Sequence, residues 1–318
     1  MLPTRTASPI LLAAVLVAGV TLLPPISARA ADPEPKAAPS VDEAYVKEIA
    51  TFRQERNDGL KKPEGWLSLV GLFWLQEGDN RFGSGAENRV IFPEGSAPVV
   101  AGTFVRHGDK VSVEAAAGAG LMSDGKPVSR LDLAVDADKG GPTHLELGSL
   151  RFYVIKRGDR LGVRVKDTDS PLLKNFQGVD VYPTRADWRF EARFEPYVPV
   201  KKVPVPNILG QVEDISSAGA VVFEFGGKTY RLDGLGEPGE GLSLIFADDT
   251  NGKETYGAGR FLDTDPPKDG KVVVDFNKAY NPPCAFTAFA TCPLPPKQNR
   301  LALRVEAGEK KFAGGPHH

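Results

Sequence analysis

The chain has little cysteine, histidine or methionine: two, four and two of these in 318 residues. Two cysteines cannot build a disulfide-rich scaffold. Four histidines, two of them the terminal His317-His318 pair, leave little material for a histidine-ligated metal centre. Excess charge is absent too, and a formal net charge of −2 supplies no basic field to draw in nucleic acid. Beyond residue 23 no stretch approaches the ~20 apolar residues of a membrane-spanning helix. Segments of helical period are scarce, whereas glycine (34) and proline (27) are plentiful. That balance excludes a helical bundle and favours many short strands joined by turns.

The amino-terminal thirty residues have a layout of their own. Arg5 precedes an apolar run from Ile10 to Leu23, Pro24-Pro25 end it, and Ala28-Arg29-Ala30 offers a small-x-small cleavage site. This is the pattern of a secretory signal peptide, so the expectation is export, cleavage near Ala30 and a soluble periplasmic or secreted protein. Residues 31–40 read as a Pro/Ala-rich disordered tether, and residues 314–318 as a disordered tail. Ser40-Val-Asp-Glu43 has the form of a capping box, and Tyr45, Ile49 and Phe52 recur at helical spacing up to Asn57-Asp58-Gly59. One amphipathic helix over 41–57 is expected.

From there the chain reads as all-β and mainly antiparallel. The run Gly65–Leu75 is nearly continuous in apolar residues and suits buried extended chain, with Trp66 and Trp74 as core. Strands are expected near 89–92, 102–106, 110–114, 130–133, 144–147, 150–156 and 160–166, with turns at Gly108-Asp109, Asp124-Gly125 and Gly158-Asp159. This gives a helix-plus-sandwich lobe over 41–170. A second lobe over 171–313 is expected to be a small barrel-like sheet. In it Phe190, Ala192 and Phe194 share one face, and extended chain follows from Pro196 to Pro206. Its strands are 220–225, 229–232, 242–247, 255–262, 271–277 and 301–307, the first pair joined by Gly226-Gly227.

Two resemblances follow from particular phrases. Phe82-Gly83-Ser84, Ile91-Phe92-Pro93, Asp124-Gly125-Lys126 and Gly162–Asp167 occur in an order that resembles a forkhead-associated sandwich. The Arg and Ser-x-x-His pattern with which that family holds phosphothreonine is not matched, so the likeness implies architecture alone. The phrases Gly65–Leu75, Gly162–Asp167, Phe246–Leu262 and Asp275–Thr287 resemble the DUF1684 family, across about Val41 to Phe312. The resemblance supports the boundaries and the site region and implies no reaction.

The segment Asp275–Pro296 holds both cysteines and five prolines, which exclude a helix or a central strand. Such backbone must be fixed from outside and is where binding groups concentrate. In an oxidising compartment Cys284 and Cys292 are most simply a disulfide, worth ~2–3 kcal/mol for so short a loop. A nucleophilic Cys284 is the alternative and would need a base, for which His107 and His144 are the internal histidines. Their spacing matches no zinc motif, and no metal or cofactor is expected. Asp248-Asp249-Thr250-Asn251-Gly252 fits a tight turn better than a calcium loop.

On a strand Tyr256, Ala258 and Arg260 would share a face. A buried Arg260 needs a partner, and Asp263 and Asp275 are the candidates. It could lock the Pro-rich segment to the sheet, or present its fork to a ligand carboxylate or phosphate. With Asp275, Asn277, Tyr280 and Asn281 nearby, the leading reading is a binding module for a small anionic or polar ligand or an envelope component. A hydrolase with Asp263 or Asp275 as general base, or Cys284 as nucleophile, is the alternative. A structural or interaction protein is the third.

Overall fold

The computed structural model describes residues 42–316. The expected signal peptide, the tether, Ser40 and the His317-His318 end lie outside the described residues. Helix α1 (Glu43–Leu60) starts at Asp42, whose carboxylate accepts from the Ala44 N–H at 3.1 Å. It continues past the Asn57-Asp58-Gly59 stop because Leu60, 1% exposed, closes a hydrophobic cluster against Phe176 and the Cys284 region. Burying one leucine is worth roughly 1.5–3 kcal/mol, more than a glycine in the last turn costs.

Seven of the expected strands before residue 170 form, within a residue or two of their bounds. The run after Gly65 makes one 3-10 turn and then β1 (Leu69–Trp74). There follow β2 (Gly78–Gly83), β3 (Val90–Ile91), β4 (Gly102–His107), β5 (Lys110–Ala115), β6 (Met122–Ser123), β7 (Lys126–Pro127) and β8 (Arg130–Leu133). Then come β9 (Leu145–Leu147), β10 (Leu150–Arg157) and β11 (Arg160–Asp167). They lie in two sheets, ordered β1-β11-β10-β9-β6-β7 and β3-β2-β4-β5-β8, antiparallel apart from the β2–β3 pair. Phe82, Phe92, Phe104 and Phe152 meet between them, the Phe82 and Phe104 rings 4.7 Å apart. Strand β11 is buried on both faces. Leu161, Val163 and Val165 point into the sandwich, so by the two-residue period Arg164 and Lys166 point away from it.

After residue 170 the longest strand is β12 (Arg189–Pro206), which absorbs the whole expected extended connector. Its prolines 196, 199, 204 and 206 are tolerated because β17 (Lys271–Asp275) pairs only with Arg189–Arg193, leaving the rest of that side an edge. Strands β13 (Val212–Phe225) and β14 (Lys228–Gly234) are joined at Gly226 and Gly227, both at positive φ as a two-residue hairpin requires. The order is β14-β13-β12-β17, with β15 (Ser243–Phe246) and β16 (Arg260–Asp263) as a separate pair. The strands thus form two antiparallel sheets rather than one closed ladder. Trp188, Phe223, Phe246 and Phe276 fill the core over them.

Three local expectations are corrected. Only Arg260–Asp263 of the 255–262 strand is strand, because Asn251 folds the chain back, its side chain donating to the Tyr256 carbonyl at 2.6 Å. Residues 301–307 are irregular, since the carbonyls of Val305 and Ala307 turn to Arg260 instead of a neighbouring strand. The start of the expected tail is placed: the Gly315 N–H donates to the Phe312 carbonyl at 3.3 Å.

Candidate functional site

Arg260 is wholly buried, and its partner is Asp248, not Asp263 or Asp275. Nη2 donates to Asp248 Oδ2 at 2.8 Å and to the Val305 carbonyl at 2.9 Å. Nη1 reaches the carbonyls of Ala307 and Glu309. Asp248 also accepts from the Thr250 N–H and hydroxyl at 2.8 and 2.6 Å, which makes Asp248–Gly252 a tight turn. Both terminal nitrogens of the guanidinium are thereby spent on the protein, its Nε is buried without a partner, and Arg260 lines none of the cavities described below. The ligand-clamp expectation for Arg260 is corrected: it locks residues 305–309 onto β16.

The Tyr256 side chain does not join Arg260, because residue 256 precedes β16. Its hydroxyl donates to the Cys284 carbonyl at 3.0 Å, and burial pushes its ionisation far up. Cys284 and Cys292 are both buried free thiols, 3.2 Å apart. A disulfide needs about 2.05 Å, so the expected staple is not formed. Packing and hydrogen bonds hold the segment instead. Thr287 donates to the Leu69 carbonyl of β1 at 3.0 Å, and Thr291 accepts from Arg157 of β10 at 3.2 Å. Gly259 lets the prolines in, since a Cβ there would sit 2.6 Å from Pro295 Cγ and from the Phe246 carbonyl. Neither internal histidine supplies a base to Cys284: His107 faces Glu77 at 3.5 Å, and His144 packs on Tyr153.

The remaining expected residues gather where α1 lies on the second set of sheets. Asp275, 5% exposed, accepts the Tyr45 hydroxyl on both oxygens, at 2.9 and 2.8 Å, and the Asn277 N–H at 3.0 Å. To abstract a proton it would first have to release Tyr45. Asn277 donates to the Tyr45 hydroxyl and the Arg185 carbonyl and accepts the Arg185 N–H. Tyr280 donates to the exposed Asp263 at 2.7 Å. Asn281 is fully buried, with its N–H on Glu309 Oε2 at 2.6 Å and its Oδ1 unpartnered.

Beside these residues is a cavity of about 90 Å³, lined in part by Phe52, Arg53, Arg56, Val181, Asn277 and Glu309. Arg56 pairs with Glu309 at 3.2 Å, lies over the Tyr280 ring at 4.8 Å and donates to the Asn281 carbonyl at 2.9 Å. Among the described residues Arg53 has only the Tyr182 carbonyl, at 3.0 Å, and its buried Nε has no partner. Desolvation pulls the Arg53 guanidinium down, and it pushes the Glu309 carboxyl up against the opposing charge of Arg56. A wider groove of about 400 Å³ around Phe194, Tyr197, Pro199 and Pro238 is apolar, and its one hydroxyl, on Tyr197, is already bonded to Asp233. Among the described residues no three of His, Cys, Asp or Glu converge as metal ligands.

Sequence reasoning missed Tyr45, Arg53, Arg56 and Glu309. The signal was present in α1, because residues 45, 49, 52, 53, 56 and 60 form one helical stripe in which two arginines interrupt the apolar set. Charged side chains on a buried stripe ask for a counter-charge.

The architecture is that of an all-β protein whose amino-terminal helix seals a polar seam. Residues 174–310 match the family described as "Protein of unknown function (DUF1684)". The Gly65–Leu75 and Gly162–Asp167 phrases lie before the match. An NMR structure of an uncharacterized protein from Haloarcula marismortui is similar at 27% identity, covering 43% of this chain and 78% of that one, with a TM-score of 0.37. Two forkhead-associated domain structures are similar at 18% identity and a TM-score of 0.21, each covering 30% of this chain and 92% or 97% of its own. One comes from work on phosphothreonine-dependent interactions, the other is the FhaA domain in a complex. No curated protein matches the chain.

Proposed function

We propose that the protein is an exported binding module for a small anion, a carboxylate or phosphate group, taken up in the cavity between Arg53, Arg56 and Asn277. The observation that carries this reading is Arg53: a half-buried cation that among the described residues has no carboxylate within salt-bridge distance, only the more distant charges of Asp275 and Glu309, and a buried Nε lacking any acceptor. A buried unpaired cation is costly, and an anion entering the cavity would relieve it. The volume of about 90 Å³ equals the liquid share of roughly three waters, which suits one carboxylate or phosphate group and not a whole large ligand. Asn277 lines the wall with its side chain bonded to Tyr45 and Arg185, and Arg56 is held from behind by the Asn281 carbonyl, to which it donates. Asp275 and Tyr45 take a supporting part, holding Asn277 in place. The layout of Arg5, Ile10–Leu23 and Ala28–Ala30 supports the exported part of the proposal. In the periplasm or outside the cell, the anionic group would belong to a small metabolite or an envelope component.

The test is calorimetric titration of the protein with acetate, succinate and inorganic phosphate, beside an Arg53→Met variant of unchanged melting temperature. A charge-assisted hydrogen bond is worth about 1.5–3 kcal/mol, so the variant should bind roughly 10- to 100-fold more weakly. Equal heats from wild type and variant across all three anions would remove the proposal.

A further inference from the structure

The apolar groove of about 400 Å³ opens where strand β12 leaves its ladder. Pro196 pairs with Gly219 and Lys201 with Ser217, so the four residues Tyr197–Val200 stand opposite Ala218 alone. The surplus chain loops out as a wide bulge. Beneath it Ala218 turns its N–H to the Gly236 carbonyl at 3.1 Å, and the buried Ala218 and Leu242 line the groove. The turns that carry Pro238 and Gly270 complete the walls. The bulge is tied down at Tyr197, whose hydroxyl donates to Asp233 at 2.6 Å and accepts from Arg231 at 2.8 Å. What it holds out is apolar: Val198, on the lip, is 91% exposed. A concave apolar site of this size lies within the ~300–1,000 Å³ of small-ligand pockets, and covering Val198 would be favourable.

Tyr197 also lines a second hollow, of about 380 Å³, together with Lys201, Lys202, Arg231, Asp233 and Gln298. Arg231 is paired with Glu195, and Asp233 is occupied by Tyr197 and by Gln298 at 2.9 Å. Lys201 and Lys202 have no carboxylate within salt-bridge distance among the described residues. Lys202 donates to the Ser216 hydroxyl at 2.7 Å, and Lys201 lies 3.6 Å from the centre of the Tyr197 ring. An apolar groove and two uncompensated cations thus meet at one aromatic side chain.

We propose that groove and hollow form one site for an amphiphile with a single acyl chain and an anionic head, of which a fatty acid is the simplest. The chain lies between the Tyr197–Val200 bulge and the turn at Pro238, and Lys201 and Lys202 meet the head. The polarity follows from charge: the groove's own charged residue is Glu240, which repels an anion, so the head belongs at the lysines. The lysine stems can follow heads of different size, carboxylate or phosphate. This site shares no lining residue with the Arg53 cavity and does not depend on the small-anion reading.

The experiment is calorimetric titration of the full chain with decanoate below its micelle concentration, with decanol as the headless probe. Decanoate should bind one per chain at this site. Exposed ion pairs are individually weak, so decanol should bind only about 3- to 10-fold more weakly than decanoate. The Lys201→Met/Lys202→Met double variant should erase that difference, leaving decanol unchanged. Val198→Ser, at an exposed position, should weaken both probes about 3- to 10-fold through lost apolar contact. Arg53→Met, in the other cavity, should leave decanoate binding as it is. Absence of decanoate binding overturns the proposal, as does binding that Val198→Ser does not change. Loss of decanoate binding in Arg53→Met would move the ligand to the other cavity and overturn it too. So would binding to phosphatidylglycerol vesicles without binding of dissolved decanoate, the mark of a membrane-docking loop. A mass that doubles with concentration and ignores decanoate would give the groove to a second copy of the chain instead. The small-anion reading fails separately, on acetate, succinate and phosphate.

Discussion

Replacing Arg260 by methionine tests whether the buried pair with Asp248 organises the second half of the chain. The side chains have similar volume, so the change removes charge and donors with little cavity. Asp248 would keep the Thr250 N–H and hydroxyl and the Val305 N–H but lose its cation. The carbonyls of Val305, Ala307 and Glu309 would each lose a donor. Breaking a fully buried pair from one side costs about 3–5 kcal/mol, because a charge is stranded. At roughly 2–4 °C per kcal/mol for a chain of this size, melting should fall by about 6–20 °C. Urea unfolding followed by circular dichroism gives the free energy directly. Adding Asp248→Asn removes the stranded charge, so the double variant should be more stable than Arg260→Met alone. A single variant within about 1 kcal/mol of wild type, or a double variant less stable still, would refute the reasoning.

Other expectations are more local. Glu309→Gln should flatten the pH dependence of anion binding in the Arg53 cavity. Burial raises the folded carboxyl above its ordinary value, so the folded state holds an extra proton just above that value. Wild-type stability and anion affinity should therefore both fall as pH rises through the raised value, and calorimetry at several pH values checks it. Tyr45→Phe removes the hydroxyl that both Asp275 oxygens accept and should cost about 1.5–3 kcal/mol in urea unfolding. Leu60→Ala should cost about 2–5 kcal/mol by the same measurement, since Leu60 is 1% exposed.

The strands were legible because they are written in a period of two, with Gly-Gly or Gly-Asp at the turns, and both signals are local. The α1 stripe was legible for the same reason. Arg260 could be read as buried and paired, but not with Asp248: that choice depends on a turn at residues 248–252 and on the irregular chain at 305–309, which share no local pattern. The cysteines show the same limit. Spacing and compartment pointed to a staple, whereas Thr287 and Thr291 tie the segment to β1 and β10, bonds that span more than a hundred residues. The unpartnered Nε of Arg53 shows only when every neighbour is in place.

The meeting of the first described helix with the last irregular stretch sets an order of events during synthesis. Arg56 and its partner Glu309 stand 253 residues apart in the chain, and the acceptors of Arg260 lie at 305–309. A nascent chain that has released β16 into solution therefore carries an unsheltered guanidinium, and α1 has no seam to seal. Both wait for residues 305–309 to clear the exit. The earlier sheets can close as they emerge, but the cavity beside Arg53 can only be completed once residues 305–309 arrive, and losing that stretch would unmake a cavity whose arginines sit near the beginning.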